Sequence, residues 1–185
     1  MKFLREVLIT IIAAVAIFFL LRLTVQGYAV QYSSMFPTIE EGEWIMVNKA
    51  AYFFSDPQRG DIIVFHPPVP APYPFIKRVI GLPGDVVEIK NGTVFVNGIP
   101  LEEEYISAPP NYQMAPTEIP ANEYFVLGDN RNNSNDSHTG WTVPRDKVIG
   151  KAWFTYWPPT RWKIIKHYRY PQSIEIGTQE SMPAQ

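Results

Sequence analysis

The stretch VVEIKNGTVFVN, residues 86–97, decides the fold class of this chain. Two short runs rich in valine and isoleucine flank the dipeptide Asn91-Gly92. Such a dipeptide between two apolar runs is the strongest short-range signal for a two-residue β-hairpin turn. We therefore predict an antiparallel hairpin with strands at residues 86–90 and 93–97.

Segments of the same character lie on both sides of this hairpin and are separated by turn residues. The further predicted strands are EWIMVNK (43–49), DIIVFHP (61–67), FIKRVIG (75–81), EYFVLGDN (123–130) and KAWFTYWP (151–158). Many short strands between turns predict a mainly β, barrel-like domain. The tract up to Asn122 is predicted to be loop-rich and acidic, with Glu102, Glu103 and Glu104 forming a solvated face.

Composition excludes several classes of function. The chain has 185 residues and a net charge of −2, which allows one compact domain plus an appendage and argues against a nucleic-acid partner. It has no cysteine, so zinc-thiolate sites and cysteine nucleophiles are excluded. His66, His138 and His167 are far apart in sequence and lack metal-ligand spacing, so we expect no metal and no cofactor.

The N-terminal segment is the chain's long apolar run. VLITIIAAVAIFFLL (7–21) is uncharged, and residues 3–25 together reach the length needed to span a bilayer if Arg22 extends toward the headgroups. Lys2 and Arg5 precede the run and predict a cytoplasmic N-terminus. A cleaved signal peptide ending at GYA (27–29) is the alternative. In both cases the rest of the chain lies across the membrane.

The segment YSSMFPT (32–38) directly follows and offers two serines as nucleophiles. A serine hydroxyl needs a base to remove its proton. His138 near Asp136 would permit a Ser-His-Asp triad, but the chain has no G-x-S-x-G elbow. Lys77 is the other option, because strand alternation puts it between two apolar side chains that would lower its pKa by desolvation. On the local pattern alone, an ordinary edge-strand lysine is the favoured explanation.

Four motifs in a fixed order resemble those of the type I signal peptidases, membrane-anchored Ser-Lys proteases that remove signal peptides from exported proteins. They are SMFPTI (34–39), RGDIIVF (59–65), KRVIGLPGD (77–85) and GDNRNNSNDS (128–137), behind an apolar N-terminal segment. The resemblance runs from the membrane segment to about Pro158.

The resemblance implies roles for individual residues. Ser34 matches the nucleophile, Lys77 the general base, and Ser134 the hydroxyl that orients the lysine amine. The positions that buttress the site are Arg78, Asp129 and Asp136. Shallow pockets for small substrate side chains, at the first and third positions before the cut, would be lined by Met35, Ile39 and Ile76.

The resemblance also implies an organisation and a location. Residues 1–27 would form a cytoplasmic tip and a retained transmembrane anchor, and residues 28–170 an extracytoplasmic catalytic β domain. Residues 171–185 would be a polar, disordered tail. The implied partners are the signal peptides of exported preproteins and the lipid bilayer, and GYA (27–29) becomes a possible site of self-cleavage.

Two positions depart from the family's pattern. Tyr32 stands where relatives have serine or glycine, which puts the side-chain half of the oxyanion hole in doubt. His138 stands where the family usually has arginine, two residues after Asp136. A histidine paired with that carboxylate would make the site sensitive to pH near neutrality. A simply exposed loop histidine is the alternative.

Two segments are candidates for membrane contact. The aromatic residues of AYFFS (51–55), together with Trp44, would form an interfacial patch, unless Phe53 and Phe54 belong to the core. RWKIIKHYR (161–169) mixes cations with aromatic residues and would suit anionic headgroups, although a solvated final strand explains it as well.

Two other functions are alternatives to a protease of this family. One is a self-cleaving Ser-Lys domain of the LexA type, and the other is a non-catalytic, membrane-tethered β domain that binds partners. The apolar span and the GDNRNNSNDS motif argue against the first. The joint presence of the motifs around Ser34, Lys77 and Ser134 argues against the second.

Overall fold

The architecture comes from a computed structural model, which describes residues 2–170; the predicted tail at residues 171–185 lies outside the described residues. Helix α1 spans Lys2–Thr24. The strands are β1 Val25–Ala29, β2 Trp44–Asn48, β3 Ile62–Phe65, β4 Phe75–Gly81, β5 Val86–Lys90, β6 Thr93–Val96, β7 Ile99–Pro100, β8 Met114–Glu118, β9 Glu123–Leu127, β10 Val143–Pro144, β11 Val148–Trp157 and β12 Lys163–Ile164.

The strands form two antiparallel sheets. The larger has eight strands in the order β1-β2-β11-β3-β4-β9-β10, with β12 paired to β11, and the smaller has the order β7-β6-β5-β8. The predicted mainly β class with one apolar N-terminal helix is confirmed. The larger sheet is an open half-barrel, because β1 and β10 end its strand order without pairing to each other.

The hairpin predicted from the Asn-Gly signal is present as β5 and β6, with Val87 opposite Val96 and Lys90 opposite Thr93. Asn91 and Gly92 have φ angles of 51° and 76°, as a type I′ turn requires at both central positions. The smaller sheet is therefore built around the segment that carries the clearest local signal.

One of the strands missed by sequence reasoning is β8, which lies in the tract predicted to be loop. It pairs on one side with β5, contains Pro116 and is largely exposed. A half-solvated edge strand has neither a continuous apolar run nor a clean alternation of apolar and polar residues, so its sequence does not predict a strand.

The predicted solvated face at Glu102–Glu104 is wrong for Glu103. Its carboxylate accepts two hydrogen bonds from Arg131 at 2.6 Å each, and the Arg131 side chain is fully buried. The Tyr105 hydroxyl donates to the same carboxylate at 2.7 Å. The local sequence gives no sign of this, because the arginine lies far along the chain.

Helix α1 is long and apolar enough to cross a membrane, with a mean hydropathy of 2.6, and none of its 18-residue apolar window is buried within the protein. The chain passes from Thr24 directly into β1, so GYA (27–29) is strand rather than linker. In that strand Gly27 lies opposite Met46 of β2.

The two phenylalanines of AYFFS are not core residues, so that alternative is wrong: both are exposed, whereas Tyr52 before them is buried. Trp44 is half-exposed and packs edge-on against Tyr156. It lies at the opposite end of β2 from the AYFFS segment, so the predicted single patch is divided in two.

Candidate active site

The nucleophile candidate, Ser34, lies on a short turn that is packed against the hydrophobic core. Ser33–Met35 form one 3-10 turn, and the Met35 side chain is fully buried between the strands of the larger sheet. The Ile39 N–H donates to the Met35 carbonyl at 2.9 Å. Ser34 therefore lies on a backbone fixed by an apolar anchor beneath it.

Lys77 approaches Ser34 from strand β4. Its Nζ lies 2.7 Å from Ser34 Oγ and 2.9 Å from the Ile76 carbonyl oxygen. Strand β4 lies between β3 and β9, so the alternative of an edge-strand lysine is wrong. The two side chains are 43 residues apart in sequence and meet within hydrogen-bonding distance.

Burial determines the acid-base behaviour of this amine. Lys77 is 4% exposed, and its Nζ lies 5.3 Å from the centre of the Phe75 ring. Desolvation lowers its pKa to about 8, and the carboxylates of Asp136 and Asp129 oppose that shift. A lysine in this environment is partly neutral near physiological pH, as a general base must be.

A buried ion pair supports the strand that carries the lysine. Arg78 Nε and Nη2 donate to the two Asp129 carboxylate oxygens at 2.8 and 2.7 Å, and both side chains are almost fully excluded from solvent. Thr38 Oγ1 donates to the same carboxylate at 2.5 Å. Thr38 lies on the same segment as Ser34, and Arg78 lies next to Lys77 on strand β4. Asp129 therefore connects the segment of the nucleophile candidate with the strand of the lysine.

Sequence reasoning did not single out Thr38, and its bond to Asp129 leads us to expect that it positions the Ser34 segment. In Thr38→Val the connection to Asp129 is lost, and we expect kcat to fall about tenfold or more with little change in KM, because small misplacements of catalytic groups are costly. Thr38→Ser keeps the hydroxyl and should restore most of the rate. Steady-state kinetics on a peptide substrate of the class that the resemblance implies measure both values. A rise in KM alone, or a serine variant as slow as the valine variant, would contradict this role.

The GDNRNNSNDS motif fixes the backbone around Ser34. The Asn130 N–H donates to the Ser34 carbonyl at 3.0 Å, and its side-chain amide donates to the Ser33 carbonyl at 3.1 Å. The Asn133 amide donates to Ser33 Oγ at 3.1 Å. The motif itself could have suggested these two asparagines, but their partners are revealed only by the fold.

Ser134 lies beside this segment without forming a hydrogen bond. Its Oγ is buried and has no partner among the described residues. Gly128 lies against both the Ser134 side chain and the Ser34 carbonyl, so that a Cβ at this position would collide with each. The predicted bond from Ser134 to the lysine amine is therefore not formed, although the hydroxyl is unpaired and close to the Ser34 backbone.

Asp136 and His138 form a pair behind the site. His138 Nδ1 lies 2.6 Å from Asp136 Oδ1, while Asp136 Oδ2 accepts the Gly128 N–H at 2.8 Å. The His138 ring stacks on Tyr112 with centres 4.1 Å apart. Because the Ser34 hydroxyl is bonded to Lys77, the histidine-triad alternative has no support from this geometry.

The predicted pocket residues lie below the site. Met35 and Ile39 are fully buried, and the partly buried Ile76 packs against their cluster. Tyr32 is 67% exposed and is not part of the core. A surface depression of about 520 Å³ is lined by Pro83, Gly84 and residues 118–121 and contains none of the predicted site residues.

The described residues were also compared with the requirements of a metal site. Within residues 2–170, no group of three or more His, Cys, Asp or Glu side chains could hold a metal ion.

Comparison with known proteins gives a consistent assignment. The family described as signal peptidase, peptidase S26, matches residues 4–157. A probable signal peptidase I-1 from Synechocystis sp. is 44% identical over 96% of this chain and 95% of its own length. A signal peptidase I from Leptolyngbya laminosa is 50% identical over 69% of this chain and 66% of its own length.

A solved structure of a signal peptidase I from Enterococcus faecalis is 34% identical and has a TM-score of 0.46, covering 52% of this chain and 97% of that one. The family match spans most of the chain, and the Synechocystis relative is similar along nearly its whole length. The chain belongs to the signal peptidase family, peptidase S26.

Proposed function

We propose that this protein is a membrane-anchored signal peptidase that uses Ser34 as nucleophile and Lys77 as general base. The observation that carries the proposal is the 2.7 Å approach of a buried amine to the Ser34 hydroxyl. Burial disfavours the charged form of the amine, so that part of the population can accept the serine proton. The family membership supports the reaction class, removal of signal peptides from preproteins.

The reaction follows from these groups. Neutral Lys77 takes the proton from Ser34 Oγ as the oxygen bonds to the carbonyl carbon before the cleavage point. Backbone N–H groups stabilise the oxyanion. The Ser34 N–H is a suitable donor, because it donates no turn or loop hydrogen bond within residues 2–170. Lys77 then protonates the leaving amine and later deprotonates the water that hydrolyses the ester.

Ser134 has a supporting role in this scheme. Its buried hydroxyl has no partner within residues 2–170, which costs free energy until a partner is found. A hydrogen bond to the amine formed during the reaction would satisfy the hydroxyl and orient the lysine. Asp129, Asp136 and Arg78 act through the segments that carry the two reacting groups.

Specificity would arise from shallow apolar pockets floored by Met35, Ile39 and Ile76. The first two side chains are fully buried and close-packed, so they would form a rigid floor, and only Ile76 is partly exposed. Such pockets accept small side chains at the first and third positions before the cut and reject larger ones by overlap. Helix α1 would anchor the enzyme, with its N-terminus in the cytoplasm and the catalytic residues at the outer face.

The proposal is tested by incubating detergent-solubilised protein with a preprotein whose signal peptide ends in Ala-x-Ala. We expect a single cut after the last alanine, identified by the new N-terminus of the product. A preprotein with phenylalanine at either small position should be resistant. Cleavage at unrelated sites, or none at all, would contradict the assignment.

The pKa of Lys77 predicts how activity depends on pH. Since its pKa is lowered to about 8, roughly one tenth of the amine is neutral at pH 7, and kcat/KM should rise about tenfold per pH unit below that pKa. Above about pH 8 the profile should level off. A profile that is flat or falling on this acidic side would rule out Lys77 as the base.

His138 is a second residue whose influence on the site a substitution can isolate. Its Nδ1 lies 2.6 Å from Asp136 Oδ1, and that carboxylate also acts on the Lys77 amine. In His138→Arg a permanent cation takes the place of the imidazole beside Asp136, so we expect the kcat/KM profile against pH to differ from that of the wild type. Identical profiles for the two proteins would mean that His138 has no influence on the site.

A further inference from the structure

A stacked pair of rings connects the smaller sheet with the candidate active site. The rings of Tyr112 and His138 have centres 4.1 Å apart, and their planes are 21° from parallel. Tyr112 is partly buried and packs against the hydrophobic cluster that contains Val87 and Val94 of the β5–β6 hairpin. His138 directly follows the GDNRNNSNDS motif. A side chain outside the four motifs is therefore in contact with the segment behind Ser34.

The backbone before Tyr112 is fixed to the same motif. Asn132 of the motif accepts the Asn111 N–H at its Oδ1 at 2.8 Å, and its side-chain amide donates to the Pro109 carbonyl at 2.9 Å. Pro109 lies against the hairpin turn, because a Cβ at Gly92 would meet its ring at 3.3 Å. The Tyr112 ring is therefore presented to His138 from a backbone that is held on two sides.

The other contact of the His138 ring is with Asp136. Its Nδ1 lies 2.6 Å from Asp136 Oδ1. A carboxylate only accepts hydrogen bonds, so the imidazole donates from Nδ1. The second side-chain torsion of a histidine is otherwise broad. One hydrogen bond at the ring edge and one stacked neighbour on the ring face together define the plane of the imidazole.

Asp136 connects this ring pair to both reacting groups. Its Oδ2 accepts the Gly128 N–H at 2.8 Å, and Gly128 lies against the Ser34 carbonyl. The Asp136 carboxylate also opposes the lowering of the Lys77 pKa by burial. A shift of this carboxylate would therefore reach the backbone of the nucleophile candidate and the field at the amine.

The Tyr112 hydroxyl contributes no bond to this arrangement. Its oxygen is buried and has no hydrogen-bond partner among residues 2–170. Burial raises the pKa of Tyr112, and the nearby Asp136 carboxylate adds to that shift, so the phenol stays neutral. What this residue supplies to His138 is its aromatic face.

We propose that Tyr112 is a positioning residue for the peptidase reaction, which stacks on His138 and thereby fixes the placement of Asp136 behind Ser34 and Lys77. The proposal rests on the Ser-Lys mechanism proposed above. It makes the loop between β7 and β8 part of the active-site support, although that loop contains none of the four motifs.

Substitutions at residue 112 test the role of the ring. Tyr112→Leu keeps an apolar side chain without a ring, and we expect kcat for preprotein cleavage in detergent to fall about tenfold with little change in KM, because small misplacements of catalytic groups are costly. Tyr112→Phe keeps the ring and should retain the wild-type kcat. Met114→Ala is the control for packing, since Met114 packs against the same cluster. It should lose stability in urea without losing kcat.

Three results would overturn the positioning role. They are a rise in KM alone for Tyr112→Leu, a phenylalanine variant as slow as the leucine variant, and an equal loss of kcat in Met114→Ala. The last would mean that the packing of the smaller sheet, rather than the ring pair, supports the reaction.

A double-mutant cycle tests whether Tyr112 acts through His138. In His138→Asn the amide can still donate to Asp136, but there is no ring to stack. Tyr112→Leu should then have no further effect, so the double variant and His138→Asn should agree in kcat within about twofold. A tenfold further loss in the double variant would mean that Tyr112 acts by another route, and the proposal would be wrong.

A spectroscopic readout does not depend on activity. The chain has three histidines, so the ring protons of histidine-labelled, detergent-solubilised protein give few NMR signals, and His138→Asn identifies the one from residue 138. We expect that signal to be shifted upfield by the Tyr112 ring, to stay shifted in Tyr112→Phe and to lose the shift in Tyr112→Leu. An unshifted signal in the wild type would overturn the stacking.

Failure of the proposed function would be recognised separately. The wild type would then not cleave the preprotein, or Ser34→Ala would still cleave it, whatever the NMR spectra show. Either result would also remove the positioning role, which requires that reaction. Normal cleavage that depends on Ser34, together with an unshifted His138 signal, would overturn the role of Tyr112 alone.

Discussion

Lys77→Met is expected to reduce kcat for preprotein cleavage by about 10⁴-fold or more, because removal of one member of a coupled catalytic pair costs nearly as much as removal of both. The methionine has a similar length and cannot accept a proton. The quantity to be measured is single-turnover cleavage of a preprotein in detergent. Ser34→Ala should lose activity to a similar extent.

The double variant Ser34→Ala, Lys77→Met provides the sharper test. If the two groups act as one unit, its activity should equal that of either single variant rather than the product of the two losses. Lys90→Met is the matched control, since Lys90 is exposed on the β5–β6 hairpin. Within the described residues its one ion pair is with Glu88. It should keep wild-type activity. Substantial cleavage by the Lys77 variant would discard the mechanism.

Loss of activity in Lys77→Met should not come from unfolding. The pKa of Lys77 is lower in the folded protein than in the unfolded chain, so the unfolded state binds more protons between about pH 8 and 10.5. Stability therefore rises with pH across that window, and the burial cost is fully present below it. Methionine removes this cost, so at pH 7 the variant is expected to be at least as stable as the wild type.

Asp129→Asn should have the largest effect on stability. It leaves the buried Arg78 guanidinium without a counter-charge, and breaking one partner of a buried ion pair typically costs about 3–5 kcal/mol. Such a loss is a large fraction of the free energy of unfolding of an ordinary domain. Urea unfolding of the detergent-solubilised protein, followed by tryptophan fluorescence, measures the loss.

The matched control for this substitution is Glu88→Gln. Its partner Lys90 is half-exposed, and an exposed pair of this kind contributes at most about 1 kcal/mol. The Asp129 variant should also lose catalytic rate under conditions where it remains folded, because Asp129 connects the segments of Ser34 and Lys77. A change in stability no larger than that of the control would mean that the ion pair is not supporting the site.

Much of the fold could be predicted where the signal is local. Strand β4 was predicted with the bounds found, Phe75–Gly81, because an apolar run between turn residues depends on nothing distant. The β5–β6 hairpin was predicted because Asn91-Gly92 determines its turn. Strand β8 was missed because its pairing with β5, and not its own pattern, makes it a strand.

The same division applies to the candidate site. The motifs nominated Ser34 and Lys77, whereas the local pattern around Lys77 by itself favoured an edge-strand role. The position of β4 between β3 and β9 excludes that role, since strand order is set by long-range pairing. Likewise, the bond from Thr38 to Asp129 spans 91 residues and no local pattern contains it.

By itself, the sequence determined the strand segments with a clear local pattern, the apolar helix and the chemical identity of the candidate groups, because periodicity and turn propensity act over a few residues. The tertiary structure alone decided that a lysine amine is desolvated next to a serine hydroxyl, and that Glu103 is paired rather than solvated. Burial and pairing are properties of the assembled sheets, since water is excluded only when distant segments pack together.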